Sequence, residues 1–350
     1  MHIQTPSTQL GGKKARLQAA GRETTMIMAK EEARPQQLMR GIAFIVAAMF
    51  VTSLQDVVFK FFSSELTLWQ IFVLRASLAV PLLLALAWMR GMRVSRVLTV
   101  ALQRWVLIRS LFMTLSFLAF YAAIPFLSLA TVGAANYIAP VVVTLLSAYV
   151  ISEPVGLRGW IGILVGFAGV ILLLRPGTDS FSLWALLPLL GACFYAMSHV
   201  TTRVRCQSVP LPSMALSLNF VMLAAGLIVS GILLLSQPSE EFARSYPYLF
   251  GNWSVVGISE WLVLGLLAVL TVAIGLGIAG AYQAAPPSII ATFEYVYLGF
   301  VALWDVLFFG ISPNLVSIVG MVLIVGAGTI VLRRGSSPIL SGRAPNIAPV

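Results

Sequence analysis

Charged residues are scarce in this sequence: they fill 10% of its 350 positions, against 59% for hydrophobic ones. A soluble domain carries about a quarter of its residues as charged ones, so a pair of soluble domains is excluded despite the adequate length. Cysteine is nearly absent. Cys193 and Cys206 cannot build a disulfide framework, and Cys193, inside an apolar run, is expected to pack as a small hydrophobe. Two histidines leave little for metal ligation, and no Ser/His/Asp or Cys/His arrangement is present, so no enzyme activity, metal or other cofactor is expected. Gly275-Leu276-Gly277-Ile278-Ala279-Gly280 fits a dinucleotide-binding spacing. It lies within an apolar run without a preceding strand, and the fingerprint needs a strand-to-helix turn. No other nucleotide motif occurs, which argues against ATP-driven transport by this chain alone.

What the sequence has is long apolar runs, and they repeat. From Ser288 to Leu332 two such runs are broken only at Gly310-Ile311-Ser312-Pro313, and about 158 residues upstream the same plan recurs, with Pro154 answering Pro313. Runs longer than about 18 residues with few charges can cross a hydrocarbon core of roughly 30 Å. The chain reads as an internal duplication of a membrane unit. Ten spans are expected: Gly41 to Phe61, Trp69 to Met89, Trp105 to Ile124, Leu127 to Ile151 and Gly159 to Leu174, then Leu183 to Thr202, Met214 to Leu235, Trp261 to Tyr282, Ser288 to Phe309 and Leu315 to Leu332. In lipid the backbone must satisfy itself within each segment, so the fold class is an all-α integral membrane protein.

The net charge of +10 would suggest nucleic acid in a soluble protein. Here the positions of the basic residues matter more, and nucleic acid is not an expected partner. With the amino terminus inside, 17 of the 22 basic residues lie on the cytoplasmic side and only Lys60, Arg175 and Arg244 outside, while Arg75 and Arg109 fall within spans. Both termini are therefore expected in the cytoplasm of a cell whose inner (plasma) membrane holds the protein. Residues 1–40 carry no apolar signal-peptide core and read as a cytoplasmic tail, as do residues 335–350. Residues 41–174 and 183–334 form the two repeats. An odd number of spans per repeat makes the second repeat inverted with respect to the first. Such repeats place a substrate site near the membrane midplane at their interface and expose it alternately to the two sides.

Several segments, taken in order, carry a resemblance. They are Asp56 with Lys60, QIFVLR ending at Arg75, Arg109-Ser110, ATVGAANYIAP closing at Pro140, SEPVGLRGW from Ser152, the Gly162, Gly166 and Gly169 series, and FGISP closing at Pro313. From about Gly41 to Arg334 the chain resembles the ten-helix EamA branch of the drug/metabolite transporter superfamily. The resemblance implies secondary transport of a small organic solute; the superfamily moves amino acids, vitamins such as riboflavin, nucleosides, S-adenosylmethionine, chelating metabolites and drugs. One departure stands at the last break, where Ile311 occupies a position that is often acidic in the family, while Glu153 is retained in the first repeat. Expected partners are the solute, the lipid bilayer and, for coupling, protons; a homodimer is compatible with this reading. The alternative from another class is an intramembrane enzyme or sensor without transport activity.

Glu294 is the most informative residue, because a carboxylate about 10 Å into an apolar span costs several kcal/mol unless it is paired or neutral. Asp305 follows it by 11 residues, which returns to nearly the same helical face, and Tyr297 lies beside that stripe. The same offset into the first repeat lands on Asn136 and Ser147. Two polar stripes could thus line a cavity; equally, they could be hydrogen-bonding glue between helices. Asp56 and Lys60 pair at i, i+4, and His199 with Arg203 echoes that spacing in the sixth span, so the two pairs read either as gates or as solvated helix ends. Arg75 can neutralise Asp56 or Asp305, or attract an anionic group on a substrate. Arg109 is expected to snorkel. Tyr121, Tyr137, Tyr195, Tyr295, Tyr297 and Trp304 sit in the candidate cavity helices, where they either stack on substrate or anchor the protein at the interface. Glu294, Asn136, Tyr137, Tyr295, Tyr297 and Trp304 are the substrate-contact candidates; Asp56, Lys60, Arg75, Asp305 and His199 are those for gating or coupling. Gly320, Gly326 and Gly328, like the series from Gly162, are expected to permit close helix packing.

Overall fold

The computed structural model describes residues 36–58, 66–123, 137–152, 155–174, 184, 186–236, 240–310 and 315–332. Those residues are helical wherever they form regular structure. The helices are α1 (Gln36–Val58), α2 (Leu68–Met89), α3 (Arg104–Ala123), α4 (Ala139–Val150), α5 (Leu157–Leu174), α6 (Leu186–Arg205), α7 (Leu211–Ser236) and α8 (Ile258–Ala284). Next comes α9 in two pieces, Pro287–Glu294 and Val296–Phe309, and then α10 (Leu315–Leu332). Six of them, α1, α2, α3, α7, α8 and α9, are long and apolar enough to cross a membrane. At 1.5 Å per residue the 22 residues of α2 reach about 33 Å, the thickness a bilayer core demands.

Sequence and structure differ in instructive places. Helix α1 already includes Gln36 to Arg40, inside the stretch read as tail, because a helix can continue past the lipid boundary into polar residues that hydropathy does not register. Of the fourth expected span, only residues 137–151 fall within the described residues, with the helix at Ala139–Val150. Helix α9 was expected to be continuous and is split at Tyr295. Between α2 and α3 a short helix, Val94–Ala101, buries Val97 and Ala101 and leaves its arginine, Arg96, exposed. Cys193 is exposed on the outer face of the bundle rather than packed inside, whereas Cys206 is buried.

The helices pack in pairs. α5 lies against α10, α3 against α6, α2 against α7, and the first piece of α9 against α4. α1 packs on α8, with Ile42, Ile45, Ala48 and Met49 meeting Ala281, Tyr282 and Ala285 in one core cluster. Small residues set the spacing. A Cβ on Gly169 would lie 2.7 Å from the Gly320 carbonyl oxygen, and one on Gly166 would lie 2.6 Å from the Tyr295 ring, so both approaches require glycine. Gly326 meets nothing within 4 Å and serves no close packing. Two residues with positive φ follow helix ends, Ser152 (φ 54°) just after α4 and Gly310 (φ 64°) just after α9. They are 158 residues apart, the offset of the sequence repeat.

Candidate functional site

The central carboxylate lies just before Tyr295, where α9 makes a one-residue turn with its backbone still in the helical region (φ −61°, ψ −19°). Pro287 opens the first piece, whose residues Ser288 to Glu294 bring Glu294 to the break at Tyr295 with its side chain turned into the bundle, 6% exposed. Two tyrosines from neighbouring helices converge on one of its oxygens. The hydroxyls of Tyr195 (α6) and Tyr282 (α8) donate to Glu294 Oε1 at 2.8 and 2.7 Å. Among the described residues nothing donates to Oε2. Buried hydrogen bonds to a carboxyl group are worth about 1.5–3 kcal/mol each when it is charged, so the cage fixes the carboxyl in place while leaving one oxygen for a further partner.

His199, one turn past Tyr195 on α6, completes the cage. Its ring stacks on Tyr282 (centroids 3.8 Å apart, planes at 18°) and meets Tyr195 edge-on at 4.2 Å. The imidazole is fully buried, and neither ring nitrogen has a hydrogen-bond partner among the described residues. Its expected companion Arg203 is engaged elsewhere, Nη1 donating to the Gln283 carbonyl at 2.7 Å. Arg109 does not snorkel: it is 1% exposed, and its Nε donates to Thr202 Oγ1 at 3.2 Å while its own carbonyl accepts from Ser198. The neighbouring helices supply that polar site five residues into α3, which removes the need to reach for the interface.

A second polar group lies further along α9. The Tyr297 hydroxyl donates to Asp56 Oδ2, and Trp304 Nε1 donates to Ser53 Oγ at 2.9 Å, so α1 and the second piece of α9 are joined by two side-chain bonds. Tyr137 connects the two groups. Its ring lies 5.9 Å from that of Tyr297 and 6.4 Å from that of Tyr295, and Tyr295 Oη donates to its carbonyl at 3.3 Å. Tyr137 and Tyr295 are themselves 158 residues apart. Arg75 stands apart from both groups, 6% exposed, and among the described residues it pairs with neither Asp56 nor any other carboxylate. Asn136 and Lys60 lie outside the described residues, as does the side chain of Asp305.

Sequence reasoning missed Tyr282 and Ser53. Tyr282 closes an apolar span, where a tyrosine reads as an interfacial anchor; its distance of 12 residues from Glu294, across the turn of Ala285 and Pro286, was the available signal. Among the described residues, no three His, Cys, Asp or Glu side chains gather as a metal site.

Known proteins resemble the chain at three levels. Residues 39–175 match the EamA-like transporter family. A riboflavin transporter of Vibrio cholerae serotype O1 is 30% identical over 174 residues, a match that spans 50% of this chain and 52%, about half, of that relative. A pseudopaline exporter of Pseudomonas aeruginosa is 24% identical over 292 residues, spanning 83% of this chain and 95% of the exporter. One solved crystal structure superposes with a TM-score of 0.66 at 19% identity, over 87% of this chain and 100% of its own, which bears on the fold alone. The chain is an integral membrane protein, and its likeness to the EamA-like transporter family lies at residues 39–175.

Proposed function

We propose that the chain is a secondary transporter of a small organic solute, built from ten transmembrane helices in two inverted five-helix repeats, residues 41–174 and 183–334. Alternating access runs through the interface between the repeats, in a cell inner membrane with both termini cytoplasmic. The observation that carries this reading is Glu294: a buried carboxyl on α9 whose Oε1 accepts from Tyr195 and Tyr282 while Oε2 has no donor among the described residues, on the piece of α9 that packs against α4. An ionisable group within a membrane span, at the interface between repeats, is where transporters of this build hold substrate or coupling ion. The pairing pattern supports the inverted repeat. The first helix of each half packs on the third of the other (α1 on α8, α6 on α3), and second, fourth and fifth helices pack on their own counterparts, as a pseudo-twofold relation between the halves requires. The transporter names of the relatives agree with this class and not with an enzyme.

In this mechanism Glu294 takes up a proton or a cationic group of the solute on Oε2, the tyrosine hydroxyls hold Oε1, and His199 packs the wall of the cage. Asp56 with Tyr297 forms the second station, and Tyr137, Tyr295 and Trp304 line the passage between them. The test is flux into proteoliposomes from a panel of metabolites, with and without an imposed pH gradient, for wild type and Glu294→Gln at matched abundance. Glu294→Gln keeps the shape of the side chain, so the expected outcome is a folded protein that has lost gradient-driven flux. Undiminished gradient-driven flux in the variant removes Glu294 from the coupling role.

A further inference from the structure

We propose that Arg75 is the binding group of an anion subsite, taking the carboxylate or phosphate of a solute, separate from the Glu294 cage. Its use in transport rests on the function proposed above; the binding itself does not. Two arginines lie within the described helical bundle, and they are treated differently. The Nε of Arg109 donates to Thr202 Oγ1. Arg75, seven residues past Leu68 in α2, is 6% exposed, and among the described residues it has no ion pair; its ring neighbour is Phe72, with the guanidinium carbon 5.9 Å from the ring centroid. Tyr121 and Tyr248 pack against the cluster that contains Phe72. Asp56, on α1, accepts from the Tyr297 hydroxyl of α9. A guanidinium withdrawn from water without a counter-ion costs several kcal/mol, and its planar fork matches a two-oxygen anion better than any neutral partner.

The surroundings suit a solute headgroup. Phe72 and Tyr121 meet edge to face at 6.0 Å and form an aromatic wall beside the guanidinium. Over it runs the segment with the short helix Pro247–Phe250, which brings Tyr248. That strap is fastened to the start of α2: Trp69 Nε1 donates to the Leu249 carbonyl at 2.7 Å, Gln70 Nε2 donates to the Ser254 carbonyl at 2.7 Å, and Ser254 N–H donates back to Gln70 Oε1 at 3.1 Å. An anion at Arg75 would therefore sit beneath a cover held by residues five and six positions away on the same helix.

The full-length protein in detergent, titrated separately with benzoate, inorganic phosphate and the neutral analogue benzyl alcohol at constant ionic strength, tests this by thermal unfolding. At least one of the two anions should raise the apparent Tm saturably while benzyl alcohol does not, and which one does so identifies the headgroup. Arg75→Gln should abolish the shift, and Arg75→Lys, which keeps charge but loses the fork, should weaken the apparent affinity by about tenfold. No saturable response to either anion in the wild type, or an equal response in Arg75→Gln, overturns the proposal. Should Arg75→Gln fail to purify as a monodisperse species, an Arg75→Lys affinity equal to wild type overturns it instead. Anion binding without any solute flux leaves this subsite standing and removes the transport reading, whereas flux with no anion response removes the subsite alone.

Discussion

Tyr195 and Tyr282 both direct their hydroxyls to Glu294 Oε1, and that convergence has a measurable consequence. Removing one hydroxyl leaves the other to hold the carboxyl, at a cost of about 1–2 kcal/mol for the lost buried bond. Tyr282→Phe and Tyr195→Phe should each lower the apparent Tm, and each should cost less when introduced into Glu294→Gln, because the partners belong to one network. Additive effects in the double variants would mean that the tyrosines stabilise the bundle by packing alone. Glu294 was legible in the sequence because an ionisable group in an apolar run has few structural excuses. The cage around it was not. His199, read as the partner of Arg203 at a helix end, instead stacks on Tyr282, since a ring with two aromatic neighbours gains more from stacking than from an exposed i, i+4 contact. Which aromatic of several in a span turns inward depends on helix rotation, and an all-apolar helix, buried on one side and lipid-facing on the other, leaves that rotation unmarked in its sequence.

Helix ends carried more information than helix faces. The breaks after α4 and α9 were visible as Pro-containing interruptions, and the structure ends both helices with a left-handed residue, Ser152 in one and Gly310 in the other. Only glycine adopts that conformation without a Cβ penalty of roughly 1–2 kcal/mol. Ser152→Gly should therefore raise the apparent Tm, by about 1–3 °C, and Gly310→Ala should lower it by a similar amount. Gly326→Ala, with nothing within 4 Å of the added carbon, should be neutral or slightly stabilising because alanine favours the helix. Thermal unfolding in one detergent checks all three; a destabilised Ser152→Gly would mean that the serine hydroxyl, not the backbone, fixes the turn. The split of α9 at Tyr295 was illegible for the opposite reason. Its flanks are apolar on both sides, and hydropathy records solvent preference rather than where a backbone ladder is interrupted.

At the scale of the whole molecule, the helical class could be read from composition, whereas the repeat suggested by Pro154 and Pro313 is part of the proposal above. How the halves interlock could not, because a span of uniform apolarity fits against lipid or protein alike. The crossed pairing of α1 with α8 and of α3 with α6 has meaning for transport only if the two halves enter the membrane from opposite sides. That orientation rests on 17 basic residues against 3, a bias that sets the topology of polytopic proteins. Single cysteines at Arg93 and Arg244, both exposed, in a background lacking Cys193 and Cys206, give the direct measurement with a membrane-impermeant thiol reagent on intact cells. Arg244→Cys should be labelled from outside and Arg93→Cys only after the membrane is opened, while a reporter at the carboxyl terminus should read cytoplasm. Labelling of both cysteines from outside, or a carboxyl terminus on the far side from the amino terminus, would leave an odd number of crossings or a misplaced one. Either result would make the two halves parallel or unequal, and the rocking of one against the other about Glu294 would lose its geometric basis.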